Sequence, residues 1–398
     1  MFYIILVVIL CVFIPVIGLP LSFPLYLKAK NTRQKIVTSV LLGLLVGIFA
    51  FYFTPREDFD LIFHRNVVEK YIAADSITDF NIISENIDLE IIPRMLSFFV
   101  SKFDNVNILQ FLVSLIGFSS IFYVLVDYKN RIGLSNIKFI PLFLLGLFGQ
   151  PIIFYFSGLY CYLAISILAL AIYLDYVKKI KIAPYLLYAL VLLIHNSMAF
   201  PVAYIVLFKI LGNRFNVKFL VVSILGAIFI TFVLSFLVND MGISFLGGIE
   251  ETFEKYMSRN SSFQNIYTGA ILVLDVIKLI FTILVSAIIV KKKDESLSAV
   301  AAFILVFSIV IAILSARSIV MTRFISLVFY FSIVLAMQLI KNGTKISWFI
   351  LIASYIFAIT LSVYNIFAIH RYGYDGFIGN NLNKNITNIL RSRDLYVE

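Results

Sequence analysis

The sequence predicts an all-α polytopic membrane protein, and three observations carry the prediction. Of the 398 residues, 62% are hydrophobic and only 14% charged, whereas a soluble domain holds roughly 45–50% apolar and about 25% charged residues. Mean hydropathy is +1.02. Apolar runs long enough to cross a bilayer, about 20 residues each, recur from one end of the chain to the other. The whole chain, 1–398, therefore reads as a single transmembrane domain. A soluble enzyme, a nucleic-acid binder and a disulfide-stapled secreted domain are excluded.

Spans are expected near 2–27, 36–54, 105–126, 138–156, 158–176, 218–239, 267–290, 297–314, 324–340 and 346–368. The opening MFYIILVVIL carries no basic residue ahead of its apolar run, so it reads as a first span rather than a signal peptide. Cys11 and Cys161 lie far apart inside apolar runs, with no CxxC or Cys/His neighbour, and support neither a zinc site nor a disulfide.

Segment 183–210 is too long for a simple crossing and is interrupted by His195-Asn196-Ser197, with Pro201 following. Polar residues and proline are tolerated at membrane depth only where protein or water satisfies the freed backbone. The segment is therefore expected to split into helices 183–194 and 199–210, giving twelve crossings. Charge tests the split. With alternate loops inside from residue 28, the inside loops hold eighteen of the 32 Lys and Arg against four acids. The outside set, tail included, holds thirteen bases and seventeen acids. Without the split, Lys291-Lys292-Lys293 would face outward against the positive-inside rule. Both termini are expected outside.

The outside mass then consists of residues 55–104, 240–266, 315–323 and the tail 369–398. In the first segment, Phe59, Ile62, Phe63, Val67 and Tyr71 form an apolar stripe at helical spacing. Such an amphipathic helix is expected to lie in the membrane interface.

All three histidines, His64, His195 and His370, fall at the outer boundary of this topology. His64 and His370 fit an interfacial position in which one ring edge is wet. His195 interrupts an apolar segment, where a polar group faces the bundle interior or a water-filled cavity. It either satisfies backbone freed at the break or acts as acid, base or hydrogen-bond donor. Arg317 and Arg323 flank the outside turn SARSIVMTR, and Arg56, Arg65 and Arg94 lie in the first outside segment. A guanidinium grips phosphate through a planar fork, which points to a diphosphate-carrying lipid. The bland alternative pairs Arg65 with Glu69 and Arg94 with Glu90, both at i,i+4. Asp60 and His64 stand one helical turn apart, as an acid/base pair would. Asp275 and Lys278 read as a neutralising pair within a span.

The segment TPREDFDLIFHRNVVEKY, followed by FSGLYCYLAI and the run ending LIHNSMAF, resembles the EpsG/Wzy-type polysaccharide polymerases. The residues that match are Asp58 and Asp60, Ser157-Gly158-Leu159, Leu163-Ala164, and His195 with Ser197. Tyr160 departs from the pattern, standing where the family carries an arginine, so that role would pass to Arg317 or Arg323. The resemblance implies a GT-C-like glycosyltransferase of the bacterial inner membrane, with its active face periplasmic. It would extend O-antigen, capsule or exopolysaccharide from undecaprenyl-diphosphate-linked repeat units, among membrane lipids and alongside a chain-length-determining membrane protein.

In that chemistry His195 or Asp60 serves as base or acceptor-positioning group. Arg317, Arg323, Arg65 and Arg56 are candidates for the diphosphate, and Asp58, His64, Arg94, Tyr160 and Ser197 for the sugars. There is no Gly-rich phosphate loop, so no nucleotide donor is expected, and no cofactor is predicted. The outer acids show no metal-ligand spacing. A lipid-linked oligosaccharide flippase, an O-antigen ligase and a membrane O-acyltransferase are the rivals. A flippase should distribute charge through its spans, whereas only Asp275 and Lys278 lie within one here.

Overall fold

The computed structural model describes residues 15–51, 60–72, 77–85, 89–103, 105–149, 156, 158–212, 220–226, 270–292, 297–315, 319–341 and 343–372. Every regular element among them is helical. In chain order these are α1 (Pro15–Lys28), α2 (Thr32–Phe51), α3 (Asp60–Ile72), α4 (Ile77–Glu85), α5 (Ile91–Ser101), α6 (Asn107–Ile132), α7 (Asn136–Phe148), α8 (Leu159–Ile172), α9 (Ala183–Ile194), α10 (Ala199–Ile210), α11 (Ala270–Lys292), α12 (Ser298–Ser315), α13 (Ile319–Lys341) and α14 (Lys345–Tyr372). A π-helical turn, Tyr173–Val177, follows α8, and a 3-10 turn, Asn196–Met198, follows α9. The chain divides into two compact units, one of residues 1–173, 180–198 and 340–398, the other of 174–179 and 199–339.

In the first unit α2 lies along α6, and the sequence shows why. Gly43 and Gly47 put a small-residue stripe on α2. A Cβ at Gly43 would come 2.7 Å from the Leu115 carbonyl oxygen, and one at Gly47 would come 2.9 Å from that of Phe111. Without side chains at these positions the two backbones approach closely, the usual device where lipid supplies no hydrophobic drive between helices. Helix α8 is buried almost all round, which its uniformly apolar sequence permits. At the other end of α6, Lys35 donates to Asp127 at 2.8 Å and the Tyr173 hydroxyl donates to the other carboxylate oxygen at 2.7 Å. Asp127 is thus a buried charge that is both paired and hydrogen-bonded, the condition under which such a group is tolerated. Helix α14 packs on α7, where Asn365 donates to the Phe148 carbonyl at 3.0 Å and so satisfies a helix C-terminus.

In the second unit, Phe200, Tyr204 and Phe208 of α10 stand at i, i+4 and i+8. They pack against Phe303 and Phe307 of α12, with ring centroids 5.1–5.7 Å apart for the closest pairs. Asp275 and Lys278 are both buried on α11 and form the expected ion pair at 2.9 Å.

Among the described residues, six helices are long and apolar enough to cross a membrane, within Thr32–Phe51, Asn107–Ile132, Leu159–Val177, Val273–Lys292, Arg323–Lys341 and Lys345–Asn365. Ile91–Ser101, Asn136–Phe148, Ala183–Ile194, Asn196–Ile210 and Ser298–Leu314 are shorter apolar helices. Half of the expected span 2–27, most of 218–239 and all of the expected outside segment 240–266 lie outside the described residues. The break in 183–210 falls at the expected place: α9 ends at Ile194 and α10 begins at Ala199. Asp175, ahead of α9, pairs with Lys209, near the end of α10, at 2.5 Å. An uninterrupted helix from Asp175 to Lys209 would be about 50 Å long at 1.5 Å per residue, so the chain between them runs out and returns.

The apolar face of α3 differs from the expected stripe. Its buried residues are Leu61, His64, Arg65, Val67, Val68 and Tyr71, while Phe63 is 49% exposed. The packed face is rotated because Arg65 finds hydrogen-bond partners on α6 and the His64 ring packs against Tyr160 of α8. Phe63 is left outward.

Candidate functional site

The site is built in the first unit, where short helices α3 and α5 dock on α6, α8 and the end of α9. Tyr71 and Val67 of α3 form a small core with Phe80, Ile83, Leu89 and Phe98, which sets α3, α4 and α5 against one another. The Tyr71 hydroxyl lies 2.7 Å from Ser84 Oγ, and Ser101 donates to the Tyr71 carbonyl at 3.1 Å. Helix α5 tolerates Pro93 because the first helical turn has N–H groups without intrahelical partners. Pro93, Ser97, Val100 and Ser101 face inward.

Tyr160, at the start of α8, is the residue on which these pieces converge. Its hydroxyl donates to the Pro93 carbonyl at 3.3 Å and lies 3.0 Å from Ser97 Oγ. The His64 ring meets the Tyr160 ring edge to face, with centroids 4.8 Å apart and planes at 86°, an arrangement aromatic quadrupoles favour. Arg65, next in sequence, turns into the bundle. Its Nη2 donates to Asn107 Oδ1 at 2.6 Å and to Gln110 Oε1 at 3.2 Å. Gln110 in turn donates to the Ala50 and Phe51 carbonyls. The cation thus sits behind the C-terminal end of α2, where the helix dipole is negative.

The third part is the break after α9. His195 ends the helix in an extended conformation, φ −157° and ψ 119°. The Ser197 backbone N–H donates to His195 Nδ1 at 3.2 Å, and Ser197 Oγ lies 2.8 Å from the same nitrogen. Glu90, at the N-terminus of α5, makes no side-chain cap on its own helix. Its carboxylate instead accepts the Asn196 N–H at 2.7 Å and lies 4.0 Å from His195 Nδ1. Two backbone donors freed by the break are therefore satisfied, one by His195 itself and one by the acid at the head of α5.

Of the residues singled out in the sequence, His64 and Tyr160 are in contact, and His195 and Ser197 are in contact. Arg65 lies beside His64 on α3 but is held by α6. The i,i+4 reading of Glu90 with Arg94 gives way to another arrangement: Glu90 reaches the His195 break, while Arg94 Nε donates to the Leu89 carbonyl. Arg323 is partly exposed on α13 in the second unit. Asp60 opens α3 and His370 lies near the end of α14, but their side chains are outside what is described. Arg56, Asp58, Ser157 and Arg317 are outside the described residues altogether. Among the described residues no group of three His, Cys, Asp or Glu is placed to hold a metal ion. Sequence reasoning missed Ser97 and the role of Glu90. Neither has a spacing signal to its partner, since Ser97 meets Tyr160 across 63 residues and Glu90 meets Asn196 across 106.

A family model, that of the EpsG family, matches residues 70–378. The match takes in α5, Tyr160 and the His195 break. The chain belongs to the EpsG family. Searches of curated proteins and of solved structures give no match. As a member of the EpsG family with long apolar helices throughout, the protein is a polytopic membrane protein.

Proposed function

We propose that this EpsG-family protein polymerises undecaprenyl-diphosphate-linked oligosaccharide repeat units into O-antigen, capsule or exopolysaccharide, at the periplasmic face of the bacterial inner membrane. The observation that carries the reading is the contact of Glu90 with the His195 break. It ties the first outside segment, rich in polar residues, to a place where an apolar segment opens its backbone. Polar groups are costly at that depth and are kept where chemistry or transport uses them.

In the reaction an acceptor sugar hydroxyl attacks the anomeric carbon of the growing glycan. The bond from that carbon to the diphosphate oxygen breaks, and the lipid diphosphate leaves with the electron pair. The hydroxyl proton passes to a base, for which His195 and Asp60 are the candidates. Arg317 and Arg323 suit the diphosphate because a guanidinium fork stays charged and binds two oxygens at once. Preorganised donors and cations that meet charge as it develops lower the barrier. The bundle is twelve-crossing and GT-C-like in this reading, with both termini periplasmic.

Deleting the gene in its native host and resolving the surface polysaccharide on a gel tests the assignment. A lost polymerase leaves surface lipid capped by one repeat unit. Uncapped lipid with accumulated lipid-linked polymer would instead identify a ligase, and single units trapped on the inner leaflet a flippase.

A further inference from the structure

A backbone N–H can only donate. Because the Ser197 N–H donates to His195 Nδ1, that nitrogen bears no proton in the neutral ring, and the Ser197 hydroxyl at 2.8 Å donates to it as well. A neutral imidazole has one proton, which therefore sits on Nε2. The side chain is 24% exposed, so the ring is neither sealed in the core nor free in solvent. A base acting through Nε2 would need the opposite tautomer, with a proton on Nδ1 facing the Ser197 N–H. That swap replaces a hydrogen bond by a donor-donor contact at a broken helix end. Glu90 fixes the adjoining peptide through Asn196 N, and its carboxylate stays 4.0 Å from Nδ1, beyond hydrogen-bond reach of a proton there.

We propose that His195 serves the reaction as an Nε2–H hydrogen-bond donor to the departing diphosphate, with Glu90 and Ser197 as positioning residues that hold the ring and its tautomer. The proposal rests on the polymerase reading above. It assigns the acceptor proton to a carboxylate, for which Asp60 is the sequence's candidate. The break in the apolar segment then has a chemical use: it orients one N–H toward a polyanionic lipid headgroup without placing a full positive charge at membrane depth. A neutral donor of this kind stabilises charge that appears only as the anomeric bond breaks.

The test uses full-length variants expressed in the deletion host, with surface polymer measured against protein abundance. Gln at 195 offers an N–H near the place of Nε2 but cannot take up a proton. Asn at 195 offers an oxygen to the Ser197 N–H, as such side chains do two residues along, but no donor in the place of Nε2. His195→Ala should lower polymer about 100-fold, the scale of losing one preorganised donor. His195→Gln should retain much of the polymer, and His195→Asn should not. Glu90→Gln keeps an acceptor for Asn196 but loses the charge, and should fall less than Glu90→Ala. Glu90→Ala should fall by up to about 100-fold, the scale on which a misplaced reacting group loses rate.

His195→Gln as inactive as His195→Ala, at normal abundance, would make His195 the base and overturn the proposal. Rescue by Asn equal to that by Gln would reduce His195 to a structural cap and overturn it too. Should His195→Gln fail to accumulate, the Glu90 pair decides: equal activity of Glu90→Gln and Glu90→Ala overturns the positioning role. Polymer made normally by the deletion host itself would fail the polymerase reading, an outcome distinct from all of these.

Discussion

Arg65 is where the sequence and the structure differ most at the scale of one residue. At i,i+4 from Glu69 it reads as half of a surface pair, which contributes a few tenths of a kcal/mol. In the fold it is only 6% exposed and joins α3 to Asn107 and Gln110 of α6. Arg65→Ala would leave buried acceptors on both residues without that donor, at about 1–3 kcal/mol each. The variant should accumulate poorly and melt earlier in detergent, and Arg65→Lys should recover part of the loss through its remaining charge. Wild-type melting of Arg65→Ala would return the residue to the surface. His195 and Ser197 were legible from sequence because their polarity interrupts an apolar run. Glu90 was not, because an acid heading a helix looks like an ordinary dipole partner. Its actual contact is set by the docking of α5 against α9.

Among the elements, those with a strong local signal were legible. The break between α9 and α10 follows from three polar residues in an apolar stretch. The long spans α2, α6, α11, α13 and α14 follow from length and hydropathy. The orientation of α3 was not legible, because two polar residues, His64 and Arg65, belong to its buried face. A period of apolar residues alone cannot rank Phe63 below an arginine that has partners elsewhere. Pairing of α2 with α6 rests on Gly43 and Gly47. A Cβ at Gly43 would meet Ser119 Oγ at 2.1 Å as well as the Leu115 carbonyl. Rotation of the serine relieves the first contact, but only separation of the helices relieves the second. Gly43→Ala should therefore cost about 1–3 kcal/mol, the range for forced overpacking. Gly226→Ala, where nothing lies within 4 Å of the added Cβ, should accumulate as wild type. Equal abundance and melting of the two variants would contradict close packing at Gly43.

For the molecule as a whole, α14 shows how the fold meets its surroundings. Phe349, Ile352, Ile356, Ile359 and Val363 are more than half exposed, while Ile350, Ser354, Ala358 and Leu361 are buried. An apolar face of that extent has no place in water and reads as lipid contact. The proposed topology assigns the sides. Reporter fusions at Lys179, Lys181 and Lys292 should report cytoplasm, and fusions near Asp88, Glu251 and Asn385 periplasm. A periplasmic signal at Lys292 would undo the split at His195, because the basic loop would then lie on the wrong side. Glycan transfer from a lipid diphosphate is tested with purified protein in liposomes. The substrate is the single-repeat lipid extracted from the deletion host, supplied without any nucleotide sugar. A ladder of products growing by whole repeat units is expected, with lipid diphosphate released for each bond made. Movement of the lipid between leaflets with no lengthening, or lengthening only after nucleotide sugar is added, would contradict it.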